Sequence, residues 1–225
     1  MRSFQLTLLI ALSVTTLSAF AADLESDKQK YSYAMGIKYG QMLRGQISED
    51  LDIPVFTQAI NDVLTDQEKK LNPQQLQEAV SVYFKQQQAK MAELAEENLE
   101  KGKKFRDANG QKKGVTTLDN GLQYKILSAG EGESPTAEQK VEVHYRGRLI
   151  NGEEFDSSFK RDKPAQFSLN AVVPGFREAI TRMKPGAKWE VVIPPELAYG
   201  KKGAGRAIGP NETLIFEIEY LKAVK

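Results

Sequence analysis

Residues 140–156 read Lys140-Val141-Glu142-Val143-His144-Tyr145-Arg146-Gly147-Arg148-Leu149-Ile150-Asn151-Gly152-Glu153-Glu154-Phe155-Asp156. Apolar and polar side chains alternate from Lys140 to Leu149, the period-two mark of a strand with one buried face. Asn151-Gly152 then supplies a turn. Val141, Val143 and Tyr145 share the inward face, while Glu142 and His144 share the other. The same reading gives strands over 122–127, 166–169, 188–193 and 213–221, separated by Gly, Pro, Asn and Asp. Leu214, Phe216, Ile218 and Tyr220 face inward on the last, and Trp189, Val191 and Ile193 do so on the one before. From Gly175 to Met183 a short helical stretch has Pro174 ahead of it and Pro185-Gly186 behind. One short helix against an antiparallel sheet is an α+β arrangement.

Before Gly110 the period is helical. Tyr31, Ala34, Met35, Ile37, Met42 and Leu43 fall near the i, i+3, i+4, i+7 template, and Val55, Phe56, Ala59, Ile60, Val63 and Leu64 repeat it after Pro54. Two such short helices are too few to close a core of their own without oligomerisation or another brace. Gly36 and Gly40 stand one turn apart, a spacing that lets two backbones approach, either within one chain or between two copies. A third helix starts at Pro73, with Asn72 in the N-cap position. It meets no glycine until Gly102, and its Gln, Glu, Ala, Lys and Leu are strong helix formers. At 1.5 Å per residue it reaches on the order of 50 Å. Leu76, Val80, Tyr83 and Phe84 make an apolar stripe in its first half. The second half is mostly charged, which predicts an arm running through solvent.

Composition excludes several kinds of chemistry. Lys and Arg number 31 against 30 Asp and Glu, so the basic excess that phosphate backbones demand is missing and no nucleic-acid partner is expected. The chain has no cysteine, which removes disulfides, thiolate zinc sites, cysteine nucleophiles and a lipidated N-terminal cysteine. His144 is the sole histidine, leaving any Ser-His-Asp scheme dependent on an outward-facing residue. A histidine-rich metal site is likewise impossible. The glycines at 200, 203, 205 and 209 are not followed by Lys-Ser/Thr, so a phosphate loop is not met; they predict a mobile flap between two strands. No metal or cofactor is expected.

The chain start carries an address. Arg2 is followed by an apolar run from Leu6 to Leu17 and by Ala19-Phe20-Ala21, the small-x-small form of a leader-peptide cleavage site. An uncleaved anchor is the competing reading, since residues 4–22 approach the ~20 that span a bilayer. The shortness of the run and the immediate cleavage site favour a leader over residues 1–21, hence export to a periplasm, soluble or associated with the outer membrane.

What remains for chemistry is an apolar and aromatic set around one carboxylate: Tyr145, Phe155, Asp156, Val172, Val173, Phe176, Tyr199, Ile208 and Phe216. These stand in the frames Val143-His144-Tyr145-Arg146-Gly147, Gly152-Glu153-Glu154-Phe155-Asp156-Ser157-Ser158, Val172-Val173-Pro174-Gly175-Phe176 and Pro194-Pro195-Glu196-Leu197-Ala198-Tyr199-Gly200. In order and spacing they resemble the FKBP-type peptidyl-prolyl cis-trans isomerases, and the helical extension ahead of them resembles the macrophage infectivity potentiator subgroup. The resemblance covers residues 24–225. It implies a helical dimerisation domain over 22–72, a connecting helix over 73–109 and an isomerase domain over 110–225. The partners implied are unfolded or proline-containing polypeptides, a second copy of the chain through the N-terminal helices, and macrolide inhibitors.

Rotation about an Xaa-Pro bond must cross about 18–20 kcal/mol because the amide gives up its resonance. The twisted amide is less polar than the planar one, so an apolar site favours it, and stronger binding of the transition state is all that catalysis needs. On the family pattern, Asp156, Tyr199 and Phe155 carry catalysis. Phe176 is the floor, with Tyr145, Phe155, Val173 and Phe216 as walls. Val172 borders them, the Val173 N–H and Tyr199 hydroxyl hold flanking carbonyls, Ile208 closes the rim, and Arg161 pairs with Asp156. Three plainer readings stand beside these: Tyr145 and Phe216 as core, Asp156 as an Asx-turn former ahead of Ser157-Ser158, and Arg161 as a surface arginine. Phe176 where the family commonly has Trp, Ala165 after Lys-Pro, and a flap at 201–207 without an aromatic make the site roomier and weaken its grip on macrolides. A different class of function, a holdase chaperone that uses the pocket only to grip proline segments, is the alternative.

Overall fold

The computed structural model describes residues 24–44 and 51–224. The expected leader at 1–21 lies outside them. The chain divides into two units, 1–72 and 73–225.

In the first unit, α1 (Asp27–Arg44) opens on a capping box: the Gln29 N–H donates to Ser26 Oγ at 3.2 Å, and the Ser26 N–H donates to Gln29 Oε1 at 2.9 Å. Helix α2 (Ile53–Leu64) is capped by Asp52, whose Oδ1 accepts the Val55 N–H at 3.1 Å, and Pro54 occupies its first turn. Neither helix holds a buried residue. Tyr31, Ile37, Tyr39 and Met42 on α1, and Ile53, Val55, Val63 and Leu64 on α2, are exposed.

The second unit starts with α3 (Pro73–Gly110), 38 residues long. There follow β1 (Val115–Thr117), β2 (Gln123–Ser128), β3 (Lys140–Leu149), β4 (Glu154–Ser157), β5 (Ala165–Ser168), α4 (Pro174–Arg182), β6 (Lys188–Ile193) and β7 (Leu214–Val224). The seven-stranded sheet runs β1-β2-β6-β7-β3-β4, with β5 also pairing β3, and every pairing is antiparallel. The expected strands are all present within two residues at their starts. β1 and β4 were not anticipated, because three or four residues of mixed polarity carry no period. The core gathers Val141, Val143 and Tyr145 of β3, Trp189, Val191 and Ile193 of β6 and the inward face of β7 with Phe176, Ala179 and Ile180 of α4. Trp189 is 5% exposed and stacks on Tyr124 at 4.4 Å between ring centroids. Among the described residues no helix is long and apolar enough to cross a membrane.

One expectation fails in an instructive way. The second half of α3 does not run free through solvent, for Asn98, Gly102 and Asn109 are buried along it. The seam is polar. Asn109 Nδ2 donates to Gln123 Oε1 at 3.0 Å, Gln123 Nε2 donates to the Arg106 carbonyl at 2.8 Å, and the Arg106 guanidinium donates to Thr213 Oγ1. Gly102 faces Thr213 so closely that a Cβ there would lie 2.4 Å from Thr213 Oγ1. A search for apolar stripes could not find a contact made by Asn, Gly and Arg at helical spacing.

Candidate active site

The site is built around a break in the pairing of β3. One edge of β3 is covered by β7, and the other is shared: β5 pairs with residues from Lys140 to Val143, and β4 with residues from Arg146 to Arg148. At the gap, Ser158 stands in for a strand. Its N–H donates to the Tyr145 carbonyl at 2.9 Å, and its Oγ accepts the Tyr145 N–H at 2.8 Å. His144, on the opposite face from Tyr145, stacks on Phe159 at 4.9 Å with Nδ1 3.1 Å from Ser158 Oγ. The sole histidine thus props the turn and lies outside the cavity lining.

Inside the gap is a cavity of about 150 Å³ lined by Tyr145, Phe155, Phe167, Phe176 and Phe216, by Val172 and Val173 at the start of α4, and by Asp156 and Tyr199. The Phe176 ring lies 5.1 Å from Phe216, 6.0 Å from Phe167 and 6.1 Å from Tyr145, each time edge to face, the arrangement aromatic quadrupoles prefer. Phe155 meets Phe216 in the same way at 5.6 Å. Gly147 makes that contact feasible, since a Cβ there would stand 2.5 Å from the Phe155 ring. Tyr145 and Phe216 are both core and lining, each 5% exposed. Tyr199, on the loop between β6 and β7, is 41% exposed and marks the cavity mouth.

The polar edge is internally paired. The Tyr145 hydroxyl donates to Asp156 Oδ2; Arg161 Nη1 donates to Asp156 Oδ1 at 2.8 Å, and Nη2 donates to the Tyr145 oxygen at 2.9 Å. Asp156 Oδ1 also accepts the Ser157 N–H at 2.8 Å. That bond goes to the next residue, not the one after it, so no Asx turn is made here. Burial by itself pushes the Asp156 carboxyl up, but the hydrogen bonds from Tyr145 and Arg161 and the guanidinium charge outweigh it and hold it below its ordinary value. Burial and the neighbouring carboxylate push the Tyr145 phenol up to about 12. Arg161 lies over the Tyr145 ring at 5.8 Å.

Eight of the ten residues singled out from sequence are therefore brought together in the lining. Arg161 stands behind the lining as the partner of Asp156 and is no isolated surface arginine. Ile208 is buried at 6% exposure, its backbone bridged to Ala204, and is not among the lining residues. Phe167 was missed. It alternates with Ala165 and pairs in register with the inward Val141, a signal the strand periodicity contained. The Val173 carbonyl accepts the N–H groups of Phe176 and Arg177 as the N-cap of α4, whereas among the described residues its own N–H has no acceptor.

An antiparallel sheet with a short helix against it and an aromatic cavity between them makes the second unit an α+β domain with one apolar site. The family model of FKBP-type peptidyl-prolyl cis-trans isomerase matches residues 131–221, and the model of the domain amino-terminal to it matches residues 28–126. Over 220 residues the chain is 43% identical to the peptidyl-prolyl cis-trans isomerase Mip of Coxiella burnetii, covering 96% of this chain and 95% of that one. It is 39% identical over 220 residues to the outer membrane protein MIP of Legionella longbeachae, covering 96% and 94%. The crystal structure of FkpA from Escherichia coli aligns with a TM-score of 0.63 at 37% identity, over 89% of this chain and 98% of that chain. The chain belongs to the FKBP-type peptidyl-prolyl cis-trans isomerases, in the Mip subgroup, and is an isomerase.

Proposed function

We propose that isomerisation takes place in the cavity at the β3 gap, by removing the Xaa-Pro amide from water and favouring its twisted form. The observation that carries this reading is an open apolar cavity whose one carboxylate is already paired by Tyr145 and Arg161, leaving no spare acid, base or nucleophile. The proline ring rests on Phe176, with Tyr145, Phe155 and Phe216 around it and Val172 and Val173 beside it. The unpaired Val173 N–H and the Tyr199 hydroxyl bind the carbonyls flanking the proline. Asp156 sets a fixed charge beside the rotating bond, where it orients the amide dipole, and Arg161 keeps that carboxylate in place. Ile208, on the same loop as Tyr199, acts indirectly, by anchoring that loop through its side chain buried in the core.

Tyr199→Phe removes one hydrogen bond to substrate and is expected to lower kcat/KM on a short Xaa-Pro peptide by roughly two- to tenfold. Asp156→Ala should cost at least as much. If both variants isomerise the peptide at the parent's rate, the site is elsewhere.

We further propose that residues 22–72 form a dimerisation domain, that 73–109 connect it to an isomerase domain at 110–225, and that clients are exported polypeptides. The support for the dimer is the uncovered apolar surface of α1 and α2, an area that monomers rarely leave bare. Support for export is the leader pattern of residues 1–21, which N-terminal sequencing of the mature protein tests: the expected first residue is Ala22. The same exposed side chains favour a second activity, holding unfolded chains. Suppression of aggregation should then survive Tyr199→Phe and fall when the Met35 to Met42 segment is disrupted.

A further inference from the structure

The loop from Pro194 to Thr213 carries Tyr199, and its glycines at 200, 203, 205 and 209 give it more backbone freedom than any other residue type would. Its base is closed by the Asn211 N–H, which donates to the Gly200 carbonyl at 2.8 Å, immediately after Tyr199. Its tip is closed by the reciprocal bonds of Ala204 and Ile208, at 2.8 and 3.2 Å. The base is also tied from outside. Asn98 of α3, 7% exposed, donates through Nδ2 to the Pro210 carbonyl at 2.9 Å, and Asn211 donates through Nδ2 to the Ala95 carbonyl of α3 at 3.1 Å. Each asparagine reaches the other element's backbone, across 112 and 116 residues of sequence. Ala95 lies in mid-helix, where its carbonyl has a second lone pair free to accept. Asn211 has φ 54°, a left-handed conformation that Asn tolerates better than most residues.

We infer that Asn98 and Asn211 are positioning residues of the isomerase: a two-bond clamp by which α3 fixes Gly200 and so the Tyr199 hydroxyl at the cavity mouth. This rests on the reading that Tyr199 touches substrate. A helix is a stiff anchor, and it supplies the order that a glycine-rich loop cannot supply for itself. The connecting helix therefore does more than link the domains: from near Ala95 onward it also holds the loop of the isomerase domain that carries Tyr199.

The test uses the full chain with four variants: Asn211→Gly, which keeps the positive φ and deletes the tie while adding a glycine's backbone freedom, Asn98→Ala, which deletes the other tie without changing the loop, Tyr199→Phe, and the double variant N211G/Y199F. Fluorescence of the sole tryptophan, Trp189, confirms that each is folded at the assay temperature. The expected result is a loss of kcat/KM on a short Xaa-Pro peptide of roughly two- to tenfold for N211G and for N98A, the scale of one or two net hydrogen bonds. In the Y199F background N211G should then add less than about a twofold loss, because both changes remove the same contact. Amide exchange at Asn211 should quicken in N98A. If Y199F loses activity while N211G and N98A do not, the clamp is overturned and the cavity reading stands. If N211G costs the same in both backgrounds, it acts through general structure and the inference falls. A Y199F enzyme as fast as the parent overturns the cavity role of Tyr199 and the clamp's purpose with it.

Discussion

Helices α1 and α2 and the seam between α3 and the sheet reverse the usual link between polarity and burial. The first pair carries regular apolar stripes, yet Tyr31, Ile37, Val55 and Val63 lie exposed. The seam is built of Asn98, Gly102, Arg106 and Asn109 in a charged sequence, yet Asn98, Gly102 and Asn109 are buried. An apolar stripe states that a face needs cover and does not say whose cover it will be. A polar seam says neither, because its energy lies in directed hydrogen bonds and in a glycine's lack of side chain.

The largest effect should come from breaking the exposed half of that contrast. Val55 and Val63 lie eight residues apart on α2, near one face. Changing both to Asp places charge where a second copy would bury apolar surface. Each buried side chain is worth ~1.5–3 kcal/mol, and a two-fold interface counts every substitution twice. Dimer dissociation should therefore rise by at least about four orders of magnitude, read by sedimentation equilibrium. Turnover of a short peptide should stay within about twofold of the parent, since the cavity lies in the other unit. An unchanged sedimentation profile would remove α2 from the interface.

The buried half breaks at Gly102. Alanine there must fit a methyl group 2.4 Å from Thr213 Oγ1 and 3.3 Å from its Cβ. Overpacking of this kind costs about 1–3 kcal/mol, offset in part by the roughly 0.5–1 kcal/mol that alanine gains over glycine in a helix, and it should also disturb the Arg106–Thr213 bond. The expected outcome is a lower urea midpoint followed by Trp189 fluorescence, with the dissociation constant of the proposed dimer unaltered. A midpoint raised above the parent's, as expected for a glycine with open space around it, would mean that the methyl meets no neighbour and that this half of α3 is the solvent arm its charges first indicated.

A smaller change is expected from pH. The Asp156 carboxyl is held below its ordinary value, so its ionised form favours the folded state above the unfolded value near ~3.9 and loses that preference as pH falls through the lower, folded value. The Tyr145 phenol, raised to about 12, works the opposite way: its contribution is complete below about 10 and is lost as pH climbs through the folded value. Between these limits neither group titrates. Peptide isomerisation should be flat from about pH 5 to 9, checked by exchange spectroscopy, and a bell-shaped profile in that window would show an acid or base that the paired cluster does not offer.

How much of this was legible in sequence depends on whether a residue's duty shows in its period. Tyr145 and Phe216 could be placed because strand periods put them inward, Phe176 only through the family pattern, and Asp156 because a carboxylate beside Phe155 had no core duty. Phe167 carried the same signal and was overlooked in a four-residue strand. Ile208 illustrates the opposite limit: the family pattern places it at the cavity rim, yet its side chain is buried with the hydrophobic core and is not among the lining residues, which no local period could show. The clamp residues Asn98 and Asn211 were invisible, since a hydrogen bond across more than a hundred residues leaves no local pattern.

The smallest expected effect sharpens the contrast most, because it sets one chemical change against two surroundings. A Cβ at Gly36 meets nothing within 4 Å, unlike one at Gly102. In an isolated chain Gly36→Ala should stabilise α1 by roughly 0.5–1 kcal/mol through backbone entropy alone. If α1 packs on a second copy at Gly36 and Gly40, one of the two packings their spacing allows, the added methyl instead falls between two close backbones. The variant should then melt higher than the parent when dilute enough to be monomeric, and its dimer should dissociate more readily. A gain in stability that is the same at every protein concentration would show that Gly36 faces solvent in the dimer as well, and would move the interface to α2 and the apolar stripe of Leu76, Val80 and Phe84, which is also exposed.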